Sequence, residues 1–450
     1  MRIDVFPDDI LLEIFDFYVG VTIPREQAWQ SLVHVCRRWR NLVFRSPRRL
    51  NLRLLCTAKT PVRDTLDVWP ALPLIIRGDM RSTSGAGDIV AALGQNNHVR
   101  EVRLRDIAGW QMEEVLAAME VPFPELTDLE LISLDKTKPV IRDSFLDGSA
   151  PRLRHVEFLG IPFPGLPTLF LSATHLVVLN LYDITHSGYI SPEEFVALLS
   201  ALSSLKWLTL QFGSPQSFLD REPRRPSPSK RFLIPALRNF NFKGVTEYLE
   251  GLVTNIDTPQ LDDMQIMFFN QIDFNTPRLA QFFDRTHKLR KTVAHVRFDE
   301  YFARIGLRVS PDFAYFGIQV SCREPDWQLS SIEQVCNSFW HPLSTVENLY
   351  IEHHYWKQVW KDDSIQNTQW LRLLLPFTSV KNLFLRKEFA PGIAAALQEM
   401  TGVLPSLRNI FVEGLRPSGP FQEKIGLFVA ARQLSDQPIT TSLWDVPLWS

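Results

Sequence analysis

The chain has 450 residues, 45% hydrophobic and 22% charged, with a formal net charge of −2. That length exceeds the roughly 150 residues of an average domain, so several folding units or one extended repeat array are expected. The near-neutral balance argues against nucleic acid or a membrane as primary partner, and no run approaches the ~18 apolar residues of a membrane span.

The N-terminus, MRIDVFPDDI, has acids where a signal peptide needs a basic start and an unbroken apolar stretch, so a soluble, cytoplasmic and/or nuclear protein is expected. Phe6-Pro7-Asp8-Asp9 before Ile10 to Phe15 forms a helix start. Pro7 sits where a missing N–H costs nothing, and Asp8 and Asp9 face the positive end of the helix dipole. Ile10, Ile14 and Phe17 share one face, which Leu11 widens. Gly20 to Pro24 breaks the pattern. A second periodic stretch carries Ala28, Trp29, Leu32 and Val33 and continues through Val35, Cys36, Trp39 and Val43. Arg37, Arg38 and Arg40 occupy its solvated side. Three such short helices cannot bury a full core alone, and apolar side chains left exposed on them are suited to docking on another protein's helices.

The strings FPDDILLEIF and WQSLVHVCRRWRNLVF resemble the F-box pattern: an opening Leu-Pro-x-Glu, an Ile/Leu helix and a closing Val-Cys-x-x-Trp. Phe6 stands for the usual Leu and Asp9 for the usual Glu, and the loop from Gly20 to Arg25 is longer than in the compact form. Residues 46–54 and 66–76 are similar to the segments directly after the F-box in fungal F-box/leucine-rich-repeat proteins. The resemblance implies a non-catalytic substrate-recognition adaptor of an SCF-type cullin-RING ubiquitin ligase. Phe6, Pro7, Ile10, Leu11, Ile14, Leu32, Val35, Cys36 and Trp39 would then bind the Skp adaptor and, through it, the cullin scaffold. A second expectation is an F-box scaffold acting with the Skp adaptor outside a ubiquitin ligase. No catalytic residue and no cofactor is implied.

An apolar-x-x-apolar-x-apolar string recurs along the rest of the chain: VREVRL at 99, LTDLEL at 126, LRHVEF at 153, LVVLNL at 176, LKWLTL at 205 and LRNFNF at 237. It continues with LDDMQI at 261, VAHVRF at 293, FAYFGI at 313, VENLYI at 346, VKNLFL at 380 and LRNIFV at 407. Between most of these lie helix-like stretches. SPEEFVALLSAL is one, with Ser191 as N-cap, Pro192 in the first turn and Glu193 and Glu194 after it. Repeated strand–turn–helix units predict an α/β fold, an irregular leucine-rich-repeat-like solenoid with a parallel sheet. The Asn or Cys of the repeat consensus is replaced by Ile107, Leu134, Ile161, Ile184, Val245 and Leu415, so apolar packing is expected to hold those turns. The expected organisation is an F-box over 1–50, a linker and N-terminal capping repeat over 51–98, and the solenoid over 99–415 with an insertion loop at 213–232. A C-terminal cap and tail over 416–450 completes it.

Alternation places the residues two and four after each anchor on the open concave face. The early repeats there form a mixed-charge, largely acidic section (Glu101, Arg103, Asp128, Glu130, His155, Glu157). The late ones pair Asn with exposed aromatics (Asn348, Tyr350, Asn382, Phe384, Asn409, Phe411). Trp207, Tyr350, Phe384 and Phe411 are the candidate contacts to an unknown protein substrate. The alternative is that the C-terminal tail, or the insertion carrying Trp356, Trp360 and Trp370, folds over them. Cys36, Cys56, Cys322 and Cys336 form no CxxC pair, which argues for buried, reduced thiols and against zinc. His353-His354 with Asp362-Asp363 fits no metal template. The basic, Pro/Ser-rich stretch 221–231, with Ser227 and Ser229, suggests a solvated loop, a phosphorylation segment or a nuclear address. Gly85-Ala-Gly87 lacks the third Gly of a phosphate cradle.

Overall fold

The computed structural model describes residues 6–21, 25–57, 66, 69, 71–79, 86–106, 108–135, 140–162, 168–215, 231–289, 292–310, 313–353, 367–400, 402–414, 420–434 and 437–444. The chain divides into two compact units, Met1–Ile190 and Ser191–Ser450.

The first unit opens with helices α1 (Asp8–Val21), α2 (Arg25–Val33) and α3 (Arg37–Arg45). Strands β1 (Leu54–Thr57) and β2 (Leu74–Asp79), helix α4 (Ala86–Leu93), strand β3 (Val99–Arg105) and helix α5 (Gly109–Ala118) follow. Strands β4 (Asp128–Ile132) and β5 (His155–Leu159), helix α6 (Thr168–Ser172) and strand β6 (Val178–Ile184) complete the unit. The six strands are parallel and neighbour one another in chain order. Each anchor string explains its rung: Leu126, Leu129 and Leu131 are buried, as are Leu153, Val156 and Phe158, and then Leu176, Leu179 and Leu181. Just ahead of each strand a backbone bond locks the rung to its predecessor: Thr127 N–H to the Arg100 carbonyl, Arg154 to Thr127 and Val177 to Arg154, each 2.8 Å. A left-handed residue falls seven after the anchor at Asp106 and Gly160, directly after β3 and β5, and at Asp183, near the end of β6. Gly and Asp tolerate that conformation at least cost.

The second unit contains α7 (Pro192–Ala201), β7 (Trp207–Phe212), β8 (Phe232–Leu233), β9 (Asn239–Gly244), α8 (Thr246–Thr254), β10 (Ile256–Asp257), β11 (Asp263–Phe268) and α9 (Pro277–Arg285). It continues with β12 (Val293–Phe298), β13 (Phe302–Ser310), β14 (Phe313–Ser321), α10 (Pro325–Ser338), α11 (Trp340–Leu343) and β15 (Asn348–His353). Helix α12 (Asn367–Leu374), β16 (Asn382–Leu385), α13 (Ala390–Glu399), β17 (Asn409–Glu413), α14 (Pro420–Leu434) and β18 (Thr440–Trp444) close it. Its sheet runs β7-β9-β11-β14-β13-β12-β15-β16-β17-β18, while β8 and β10 form a separate parallel pair.

Helix α7 begins as its sequence predicts. The Ser191 hydroxyl accepts from the Glu194 N–H at 3.3 Å, and the Glu194 carboxylate accepts from the Ser191 N–H at 3.1 Å. Ser191→Ala should therefore cost about 1 kcal/mol in urea unfolding.

Several expectations are corrected. The sheet is parallel except at β13, which is antiparallel to both β12 and β14. FAYFGI is thus not the next parallel repeat after VAHVRF. A parallel crossover needs a dozen or more residues, and that stretch is occupied by β13, with only Asp299 to Tyr301 linking it to β12. The sheet also begins at Leu54 and ends at Trp444, beyond the expected 99–415 at both ends. Ile161, Ile184 and Val245 pack as expected in place of the consensus Asn, but Leu134 is exposed, and Ile107 and Leu415 lie outside the described residues. All four cysteines are free. Cys56, Cys322 and Cys336 are buried, and burial pushes the Cys56 thiol to about 11, whereas Cys36 is exposed.

Candidate functional site: an apolar helical face and an open sheet face

Within the first unit, α1 turns Leu11, Leu12 and Phe15 inward against Trp29, Leu32 and Val33 of α2 and Leu42 and Val43 of α3. Phe15 meets Trp39 at 4.6 Å between ring centroids. The starts of α1 and α3 are tied together by Arg38, whose guanidinium donates to the Phe6 carbonyl at 2.7 Å and to the Asp8 carboxylate at 2.6 Å. Cys36 is the N-cap of α3, its Sγ accepting from the Trp39 N–H at 3.5 Å. The Trp29 indole N–H donates to the Arg53 carbonyl at 2.9 Å, joining the helices to the segment before β1.

With that interior filled, an apolar set is left outside. Ile10 and Ile14 are exposed, Phe17 is 73% exposed, and Val35, in the α2–α3 turn, is 59% exposed. Pro7 and Cys36 are also exposed, while Phe6 and Trp39 are half-buried. Of the residues expected to contact an adaptor, Leu11 and Leu32 are buried among the helices. Phe17, which is not among those expected, is the most exposed of this apolar set. Its position seven after Ile10 signals their shared face from sequence.

On the open sheet face of the first unit, the acids are compensated rather than free. Glu101 is paired with Arg53 and lies 3.5 Å from Arg103, which also approaches Asp128 at 3.7 Å. Arg105 pairs with Glu130. The His155 and Asn180 side chains sit 3.6 and 3.3 Å from Glu157, and these neighbours hold its carboxyl below the usual range despite part burial. The expected mixed-charge, largely acidic section is therefore a network of ion pairs, because arginines from other segments reach the carboxylates.

The second unit carries three rows across β15, β16 and β17. Asn409 donates to Asn382 and Asn382 to Asn348, each at 2.7 Å, and the Thr440 hydroxyl of β18 donates to Asn409 at 2.6 Å. Beside this amide ladder, His295 of β12 stacks on Tyr350 at 4.5 Å, Tyr350 on Phe384 at 4.1 Å and Phe384 on Phe411 at 4.6 Å, all within 9° of parallel. In the third row, Glu352 accepts from His295 at 3.1 Å and Arg297 at 2.8 Å, and Arg386 pairs with Glu413 at 2.6 Å. Burial alone would raise the Glu352 carboxyl, but those two donors outweigh it and bring it down to about 2.

Tyr350, Phe384 and Phe411 are thus brought together, though half-buried rather than fully exposed. Trp444 of β18 lies edge-on to Phe384 and Tyr350 at 5.6 and 5.8 Å, so a C-terminal segment does cover part of the row. Trp207 is exposed but stands apart, with five strands between β7 and β15. Trp370 is buried against Phe298 and Phe389. His354, Trp356, Trp360, Asp362, Asp363, Ser227, Ser229 and Gly85 lie outside the described residues. Among the described residues, no group of His, Cys, Asp and Glu could hold a metal, and no helix is long and apolar enough to cross a membrane.

No family model matches the chain, and no curated protein matches it. Among solved structures, the leucine-rich repeat-containing protein LegL7 from Legionella pneumophila is similar at 12% identity, covering 88% of this chain and 99% of that one, with a TM-score of 0.26. That score is too low for the likeness to bear on function. The chain is therefore described by its own architecture: a mixed α/β protein with a large, mostly parallel sheet built from repeated strand–helix units.

Proposed function

We propose that this chain is the substrate-recognition adaptor of an SCF-type ubiquitin ligase, an F-box followed by a leucine-rich-repeat-like solenoid that captures a target protein. The observation that carries the reading is the apolar set Ile10, Ile14, Phe17 and Val35, left uncovered on helices that bear the Pro7 opening and the Val35-Cys36-x-x-Trp39 closing. Apolar groups clustered in this way on a small helical unit favour burial against a partner. The open face of the repeat sheet, with its aromatic row, supports the second half of the reading.

Co-purification of the full chain with the Skp adaptor and a cullin tests the first half. Recovery of neither would sink it, and recovery of adaptor without cullin would favour a scaffold outside a ligase. For the second half, proximity labelling identifies captured proteins. Changing Tyr350, Phe384 and Phe411 together to Ala should reduce their labelling at least tenfold while adaptor binding stays at the wild-type level. Undiminished labelling would remove the aromatic row from target capture.

A further inference from the structure

Strand β18 is attached to its sheet differently from the rungs before it. On β17 the inward side chains Ile410 and Val412 are buried, and on β16 so are Leu383 and Leu385. By register the matching positions on β18 are Thr441 and Leu443, and both are exposed. Ile439, just before the strand, is the last of the described residues to be buried in the core. From Thr440 to Leu443, apolar burial beneath the sheet contributes nothing to holding the strand. Its attachments are the backbone ladder to β17, the Thr440 hydroxyl on Asn409, and Trp444. Trp444 sits on the open face beside Phe384 and Tyr350, with the Arg386 guanidinium 5.6 Å from its ring centroid. A segment held by edge pairing and one aromatic anchor is exchangeable for another of the same chemistry.

We infer that the β17 edge and the aromatic row beside it form a peptide-binding site that β18 fills in cis. The site takes an extended segment of a target protein running parallel to β17, with a hydroxyl side chain and, four residues later, an aromatic one. This rests on the reading of the repeat sheet as the target-binding part. Register sets the spacing, since Thr440 lies opposite Asn409 and Trp444 opposite Glu413. Asn409 spends its N–H on Asn382 and offers its Oδ1 to a hydroxyl, so the first position calls for a donor. At the other position an acid would meet Glu413, whereas an aromatic ring has Phe384, Tyr350 and the Arg386 cation to receive it.

The test adds to the intact chain a fluorescein-labelled peptide of residues 440–444, extended by Gly-Ser at each end, and follows anisotropy. In the wild type the tethered strand competes at an effective concentration in the roughly millimolar range, so the peptide binds weakly. Trp444→Ala should tighten peptide binding at least tenfold, and adding Phe384→Ala should remove the gain. Equal affinity for the wild type and Trp444→Ala, or a gain that survives Phe384→Ala, overturns the proposal. Amide hydrogen exchange on the wild type provides a readout independent of variants: β18 amides should exchange at least tenfold faster than those of β17, and equal protection overturns it. Peptide binding in a chain that captures no Skp adaptor would sink the ligase reading and leave this site standing. Adaptor capture without peptide binding would sink this site alone.

Discussion

Changing Ile14 and Phe17 together to Asp should reduce capture of the Skp adaptor at least a hundredfold while leaving the protein folded. Both side chains are exposed on α1, Phe17 more than Ile14, so in the free chain their loss removes little internal packing. Asp inside an exposed helix costs only a few tenths of a kcal/mol relative to the apolar residues it replaces. In a docked complex the same two positions would place unpaired carboxylates in an apolar interface. Central anchors of that kind are worth about 2 kcal/mol or more each, and a hundredfold corresponds to about 2.8 kcal/mol. Leu11→Ala is the informative contrast. Leu11 is enclosed by the helices themselves, so its truncation should cost about 2–5 kcal/mol of stability and weaken adaptor capture only through unfolding. Pull-down measured beside circular dichroism separates the two cases. Undiminished capture by the double Asp variant would remove this face from the proposed docking surface.

Acidification should strip a second, larger-than-average contribution from the sheet of the second unit. Glu352 is buried, and its folded value of about 2 lies below its ordinary 4.5. A depressed carboxyl contributes fully above its unfolded value and loses that contribution as pH falls through the folded one. The window here runs from about 4.5 down to about 2, and the shift corresponds to about 3 kcal/mol. Glu352→Gln should flatten that part of the stability–pH curve, and it should lower stability at pH 7 because Arg297 and His295 lose their charged acceptor. Urea unfolding of wild type and variant between pH 7 and pH 2 checks both. Parallel curves for the two proteins would show that Glu352 is not the titrating group.

The period of the apolar residues by itself determined most of the architecture. Leu126, Leu129 and Leu131, like their counterparts in the other repeats, could satisfy a three-then-two spacing only as an anchor and two inward strand positions. Burial bears this out at β4, β5 and β6, whereas the Val293 anchor of β12 is only half-buried. The start of α7 was equally legible, because a capping box depends on contacts within four residues. The outer face of α1 could also be derived from spacing. What period does not carry is which partner a strand selects. The antiparallel insertion of β13 depends on the short Asp299–Tyr301 link excluding a crossover, and the strand's own alternation resembles that of its parallel neighbours.

Only the tertiary structure decided the character of the open face. Which charges lie side by side depends on register between segments more than twenty residues apart. Glu101 and Glu130 meet arginines brought in from other segments, Arg53 and Arg105. The same register converts scattered Asn, Tyr and Phe into continuous amide and aromatic rows, and brings Trp444 back onto them. Leu11 and Leu32 lie inside the helical unit for a related reason: a helix presents several apolar residues, and only packing against its neighbours selects which remain outside. Local chemistry thus determined the repeats and the helical docking candidate, while long-range pairing decided what each surface offers a partner.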